Sequence, residues 1–404
     1  MFLSKEKVFE LTEKYGSPIY VYDENILRKS CKEMHDLLPG KNFRVNYSAK
    51  ANSNIEILRI VLDEDIDVDA MSPGEIYLQK LAGYTSEKIF YIGNNVSKEE
   101  MQFALQQNVL VSVDSLSQLE SFGQINPGGD VAVRFNPGIG TGHHQKVVTA
   151  GKNTKFGVQK DFVPMVKEIL SKYNLNIVGI NQHIGSLFLE PDSYIKGVQS
   201  LLEIATQFPN LKFIDMGGGF GIPYHEKEGR LNLSELSKRL NSILDDFLKK
   251  YDNKDVIFKI EPGRYIPAEC GVLLGKVYSV KENYNKTYVG TDLGFNVLMR
   301  PVLYDSYHAV TVFNRDESKT EENATIVGNI CESGDIIAND RKIKKVSLGD
   351  VIAVNNAGAY GFAMSSNYNC RLKPAEVLID REGKDRLIRK RENFEDLVRN
   401  FIMK

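Results

Sequence analysis

A chain of 404 residues with 42% hydrophobic and 26% charged residues can build a large core and is long enough for two domains. Its formal net charge of -2 supplies no long-range attraction for nucleic acid or for an anionic membrane. No apolar run reaches a membrane span, Met1 to Lys7 lacks a signal-peptide core, and four scattered cysteines form no CxxC pair, so a cytoplasmic protein without disulfides or a zinc site is expected.

The run Ser17-Pro18-Ile19-Tyr20-Val21-Tyr22 reads as a strand opened by proline. From there to about residue 265 strands alternate with helical patterns. Candidate strands cover 43–47, 66–70, 89–92, 109–113, 131–135, 177–183, 212–216 and 257–261, with amphipathic stretches such as 54–62 and 161–173 between them. Eight such runs over roughly 250 residues predict an α/β domain of the (β/α)8, or TIM, barrel type rather than an open sheet. After residue 265 the strand-like runs 271–280, 287–289, 324–328 and 350–354 are separated by turn signals without helices. A β-rich domain of β-barrel or β-sandwich type is expected there, and the segment before the barrel is expected to join it. The expected domains are 28–265 and 1–27 plus 266–404, closed by an amphipathic helix over 394–402.

In a barrel of this type the C-terminal strand ends build the active site. The first delivers Lys50 in Asn46-Tyr47-Ser48-Ala49-Lys50-Ala51-Asn52, and the second Asp69. The sixth ends in His183-Ile184-Gly185-Ser186, the seventh in Gly217-Gly218-Gly219-Phe220-Gly221, and the eighth in Glu261-Pro262-Gly263-Arg264. Lys50 is a solvated helix-start residue or a nucleophile; the nucleophilic use needs a partly neutral amine, commonly for a Schiff base. The glycine run is a flexible turn or a cradle whose backbone N–H groups close on a phosphate. It is not the dinucleotide fingerprint, because Ile222 stands where a third spaced small residue is needed. His183 is a core histidine or a ring that stacks on a conjugated ligand. Glu261 pairs with Arg264 or holds a proton on a pyridine nitrogen. The neighbours His143 and His144 suggest metal ligands, yet successive side chains diverge and no third ligand is near in sequence. Cys331-Glu332-Ser333-Gly334-Asp335 and Gly358-Ala359-Tyr360-Gly361 read alone as glycine turns, and Arg300 and Tyr304 as surface residues.

Taken together, Tyr47 to Asn52, His183 to Ser186, Gly217 to Gly221, Glu261 to Arg264, Asp292 to Tyr304, Cys331 to Asp335 and Gly358 to Asn369 resemble the fold-type III pyridoxal-phosphate decarboxylases. Within them the pattern is similar to the diaminopimelate decarboxylase branch. The resemblance implies a cofactor, pyridoxal 5'-phosphate, on Lys50, with His183 stacked on its ring and Glu261 at its pyridine nitrogen. Asp69 would lie close to the cofactor, while Ser186, Gly218, Gly219 and the backbone near Gly263 would hold its phosphate. Arg264, Arg300 and Tyr304 would clamp the distal carboxylate of an amino-acid substrate, Arg264 also binding the cofactor. Cys331, Glu332 and Tyr360 would reach the site from a second subunit, making a homodimer with shared active sites; Tyr360 would touch both cofactor and substrate. Cys331 or Lys50 would return the proton. The implied reaction is decarboxylation of meso-diaminopimelate to lysine, the last step of lysine biosynthesis, with another basic or diacid amino acid as the alternative substrate. Two departures stand out: the seventh strand ends Asp215-Met216-Gly217, and Pro73 follows Ser72 where a small residue is expected. An alanine racemase would carry arginine in place of Glu261, and a non-catalytic relative would lack Lys50.

Overall fold

The computed structural model describes residues 1–138, 141–142, 150–151, 154–316 and 320–402. His143 and His144 lie outside the described residues. The chain divides into two compact units, Arg28–Pro223 with Gly229–Ile266, and Met1–Leu27 with Tyr224–Glu228 and Pro267–Lys404.

The first unit is a closed barrel of eight parallel strands: Phe43–Ser48, Asp67–Ala70, Ile89–Tyr91, Leu110–Val113, Asp130–Asn136, Asn176–Asn181, Phe213–Gly218 and Ile257–Glu261. Each pairs with the next, and the last returns to the first with Phe258 opposite Phe43. These are the eight runs expected from the sequence, shifted by a residue or two at their ends. The connecting helices carry their own start signals. Ser97 and Glu100 form a capping box ahead of Lys98–Gln106. In Leu233–Lys250, capped by Asn232, the residues Leu236, Leu240 and Leu244 recur every fourth position and are buried. Pro73 also finds its reason here. Ser72 caps the helix Pro73–Ala82 by accepting from the Glu75 N–H, and proline suits the first helical position, where its missing N–H has no helical partner to lose.

The β-rich unit holds a nine-stranded mixed sheet. Its N-terminal strand Ile19–Asp23 lies between Gly271–Asn283, antiparallel, and Ala375–Ile379, parallel. The helix Lys5–Lys14 packs Val8 and Leu11 against Ile19, Val21, Val272, Leu274, Val351, Ala353, Ala375 and Val377. Several elements of this unit escape the sequence reading: that helix, the short helix Arg300–Tyr304, and the strands Val310–Phe313, Ile336–Lys344, Ala375–Ile379 and Asp385–Arg389. Lys5–Lys14 buries only Val8, Leu11 and Thr12, and Asp385–Arg389 is an outer strand dominated by charge, so neither shows a strong hydrophobic period. The final helix is shorter than expected, Phe394–Val398.

One ion cluster ties the start of this unit to its end. Asp385 accepts from Lys7 Nζ, Lys14 Nζ and Tyr15 Oη, each at 2.6 Å. Burial pushes its carboxyl up, but the hydrogen bonds from Lys14, Lys7 and Tyr15 outweigh that and hold it well below the usual range. A carboxyl depressed in the folded state contributes stability above its unfolded pKa of about 3.9, and that contribution is lost as pH falls through the folded value. Asp385→Asn should therefore lower the thermal midpoint at neutral pH by a few degrees. The gap to the wild type should close in melts run from about pH 5 down to about pH 2.

Candidate active site

The barrel interior is polar where the strands end. Ser112 Oγ donates to Asn181 Oδ1 at 2.7 Å, a contact between non-neighbouring strands that must therefore cross the interior. Lys259, on the last strand, lies with its Nζ 4.8 Å from the ring centre of Phe213 and 5.6 Å from that of Phe90. Alternation along each strand turns Asn46, Asp69, Arg134, Asp215 and Glu261 to this same interior, and all five are buried.

Lys50 sits in a single 3-10 turn, Ala49–Ala51, directly after the first strand. That turn is pinned by its neighbour: Asp69 accepts from Ser48 Oγ at 2.6 Å and from the Ala49 N–H at 3.3 Å. Burial raises the Asp69 carboxyl to about 7, with the positive charge of Lys50 and the Ser48 hydroxyl opposing. The charge of Lys50 also acts on Glu75, His183 and Glu261, so these groups converge on one place.

The glycine run is a close-packed feature rather than a loose one. A Cβ on Gly218 would stand 1.9 Å from the Glu261 carbonyl oxygen, and one on Gly217, whose φ is +76°, 2.1 Å from that of Gln182. This approach lets the Gly218 N–H donate to His183 Nδ1 at 3.2 Å. With Nδ1 accepting, the imidazole carries its proton on Nε2. Burial, then the charges of Lys50 and Arg134, keep His183 well below its ordinary pKa, so the ring is neutral and its 3.8 Å approach to Glu261 Oε2 is not an ion pair.

Glu261 is one of several interior groups with unmet hydrogen-bonding capacity, alongside Asn46, Asn181, Gln182 and Asp215. Its Oε1 is buried and finds no hydrogen-bond partner among the described residues. Burial, followed by the carboxyls of Asp215 and Asp69, raises its pKa well above the ordinary value, against Lys50 and Arg134. Asp215 interacts with it carboxyl to carboxyl, and to stand ionised Glu261 is best served by a cationic donor aimed at Oε1. A protonated pyridine nitrogen is such a donor, so the residues present fit a pyridoxal ring. Beside it, Asp215 accepts from the Gly217 N–H at 2.9 Å and is raised to about 6, chiefly by burial. At the following loops Arg264 Nη2 donates to Ser186 Oγ at 3.0 Å, and Pro262, just before Gly263, accepts from the Ser48 N–H at 3.2 Å.

The barrel unit thus gathers Lys50, Asp69, His183, Ser186, Gly218, Gly219, Glu261, Gly263 and Arg264. The other expected site residues belong to the β-rich unit. Arg300 is 1% exposed, and its helix Arg300–Tyr304 includes Tyr304, which is half-buried. Cys331 and Glu332 are exposed on a turn whose buried Asp335 accepts from the N–H groups of Phe295 (2.6 Å) and Ile330 (2.8 Å). Cys331 N–H donates to Asn369 Oδ1 at 2.8 Å. Tyr360 is half-buried with φ +57°. Sequence reading overlooked Arg134, Asp215 and Lys259 as site groups; the available signal was an ionisable residue inside an otherwise apolar parallel strand.

Residues 24–268 match the family model described as pyridoxal-dependent decarboxylase, pyridoxal binding domain. The diaminopimelate decarboxylase of Methanothermobacter thermautotrophicus is 42% identical over 398 residues, covering 96% of this chain and 92% of its own. That of Escherichia coli K12 is 33% identical, with 98% and 96% covered. The crystal structure of diaminopimelate decarboxylase from Helicobacter pylori complexed with L-lysine superposes with a TM-score of 0.89 at 32% identity, covering 96% of this chain and 98% of that one. A lysine/ornithine decarboxylase from Vibrio vulnificus shares the fold at 21% identity, TM-score 0.81. With a barrel that fits a pyridoxal ring and relatives matched along nearly their whole length, the chain belongs to the diaminopimelate decarboxylase family of pyridoxal-dependent decarboxylases.

Proposed function

We propose that this protein removes carbon dioxide from meso-diaminopimelate to give L-lysine, using pyridoxal 5'-phosphate held by the barrel unit. The observation that carries the reading is the buried, donorless Oε1 of Glu261 beside a neutral His183 and within the field of Lys50. Bound pyridoxal phosphate supplies an electron sink for the pair left on the substrate carbon when carbon dioxide departs. Lys50 holds the cofactor through Nζ, Glu261 keeps the ring nitrogen protonated, and neutral His183 lies against the ring without competing for that proton. Asp69 fixes the turn that presents Lys50. Ser186, Gly218, Gly219 and the backbone at Gly263 take the phosphate.

Arg264, Arg300 and Tyr304 bind the carboxylate at the far end of the substrate, since a planar guanidinium grips that group bidentately. Glu332 and Tyr360 of a second copy complete the site, Glu332 holding the distal ammonium. The carbon that lost carbon dioxide is reprotonated by Cys331 of that copy or by Lys50. The exposure of Cys331 and Glu332 supports such a reach across a homodimer. Among the described residues no helix is long and apolar enough to cross a membrane, and a cytoplasmic location suits a biosynthetic enzyme of this kind.

Lys50→Ala should abolish the absorption band of the lysine-bound cofactor and nearly all turnover, and borohydride should tag a Lys50 peptide in the wild type. A fully active Lys50→Ala protein would sink the pyridoxal reading.

Subunit sharing has its own test. Lys50→Ala and Glu332→Ala should each be nearly inactive, yet re-pairing equal amounts should recover about a quarter of wild-type activity, because half the dimers then hold one intact site. If mixed dimers form and stay inactive, Glu332 does not act across subunits.

The substrate assignment rests on Arg300. Leaving a buried guanidinium without its anion costs on the order of 3–5 kcal/mol, or roughly a hundred- to a few-thousandfold in specificity at about 1.4 kcal/mol per tenfold. Lysine should therefore be a poor substrate, and Arg300→Leu should cut kcat/KM for diaminopimelate steeply while scarcely touching residual lysine turnover. Equal wild-type rates on lysine or ornithine would place the enzyme with the diamine-forming decarboxylases instead.

A further inference from the structure

Arg300 does not sit in the β-rich unit unassisted. Its Nη1 is 2.8 Å from Nε2 of His308, and its Nη2 donates to Ser306 Oγ at 3.3 Å. His308 Nδ1 is in turn 2.8 Å from the carbonyl oxygen of Asn355. The guanidinium carbon stands 4.5 Å from the ring centre of Tyr224, and the His308 ring meets that same tyrosine edge-on at 5.1 Å. The chain makes this possible by reversing just after the short helix: Asp305 takes φ +51°, and the Ser306 N–H returns to the Arg300 carbonyl. His308 is completely buried.

The chemistry of the partners fixes the histidine's state. Arginine only donates and a carbonyl oxygen only accepts, so Nε2 presents its lone pair to Arg300 and Nδ1 carries the proton to Asn355. The imidazole is therefore neutral, and it links the guanidinium to the backbone of Asn355, a residue whose own N–H donates to the Ala309 carbonyl at 2.9 Å. Bidentate recognition of a carboxylate demands a guanidinium fixed in plane and rotamer, and such fixing comes from the groups behind it. Here the Tyr224 ring lies against the guanidinium, and His308 and Ser306 hold its two terminal nitrogens.

We propose that His308 is the positioning residue of the substrate-carboxylate clamp, holding Arg300 in the orientation that takes the distal carboxylate of diaminopimelate. This rests on the reading of Arg300 given above. His308 has no part in the bond-breaking step, so its loss should appear in KM and leave kcat nearly intact.

The test uses the holoenzyme and four variants, Arg300→Leu, His308→Leu, His308→Gln and His308→Asn, each checked for cofactor absorbance and assayed for KM and kcat with meso-diaminopimelate. His308→Leu should raise KM about 10- to 100-fold, the range for losing a hydrogen bond to a charged group, with kcat within about threefold. Glutamine places an acceptor where Nε2 stands and should bring KM back to within about threefold of wild type. Asparagine reaches only the Nδ1 position and should stay with His308→Leu. Should His308→Leu not fold, the comparison of glutamine with asparagine decides alone, and equal KM values for the two overturn the proposal. It is also overturned if Arg300→Leu raises KM while His308→Leu does not. If Arg300→Leu leaves KM unchanged, the clamp itself is wrong and the role of His308 falls with it.

Discussion

A carboxylate buried inside a parallel barrel with one oxygen lacking a donor is the constraint on which the first unit depends. Glu261 is surrounded by groups that disagree about its charge: Asp215 and Asp69 oppose ionisation, while Lys50 and Arg134 favour it. Burying so many ionisable groups is costly, and an apolar interior would serve stability better. The arrangement makes sense as a site that stays unbalanced until a cationic ring donor arrives. The neutrality of His183 belongs to the same balance, because a second cation beside Glu261 would satisfy the carboxylate without a ligand.

The glycine run shows how backbone packing serves that balance. Gly217 and Gly218 let the seventh strand close on the sixth and eighth, near enough for a backbone N–H to occupy His183 Nδ1. The flexibility of glycine matters less here than its lack of a Cβ. The result is a histidine whose tautomer is set by the main chain, and main-chain geometry is harder to disturb than a side-chain contact.

The β-rich unit solves a different problem with the same means. Arg300 is buried and held by a neutral histidine, a serine and a tyrosine ring, which is costly but gives a fixed orientation. Cys331 and Glu332 are exposed, yet their turn is anchored by the buried Asp335. Arg300 is thus buried among its partners, whereas Cys331 and Glu332 are exposed on an anchored turn.

Much of this was legible in the chain itself. Eight alternating runs and their spacing favour a parallel barrel, because strand period is a local property, and the strand ends make Lys50, His183 and Glu261 candidates whose roles came only from the family resemblance of the combined motifs. The change of pattern after residue 265 likewise announces a β-rich unit. Tertiary structure alone decided that Asp215, Arg134 and Lys259 share the interior with Glu261, that Pro73 opens a helix, and that His308 stands behind Arg300. Each of these depends on distance across the fold: Asp215 and Glu261 come from different strands, and His308 returns to Arg300 only through the reversal at Asp305. Charge balance, tautomer and rotamer are set by such neighbours, and a linear pattern does not encode which distant groups will be adjacent.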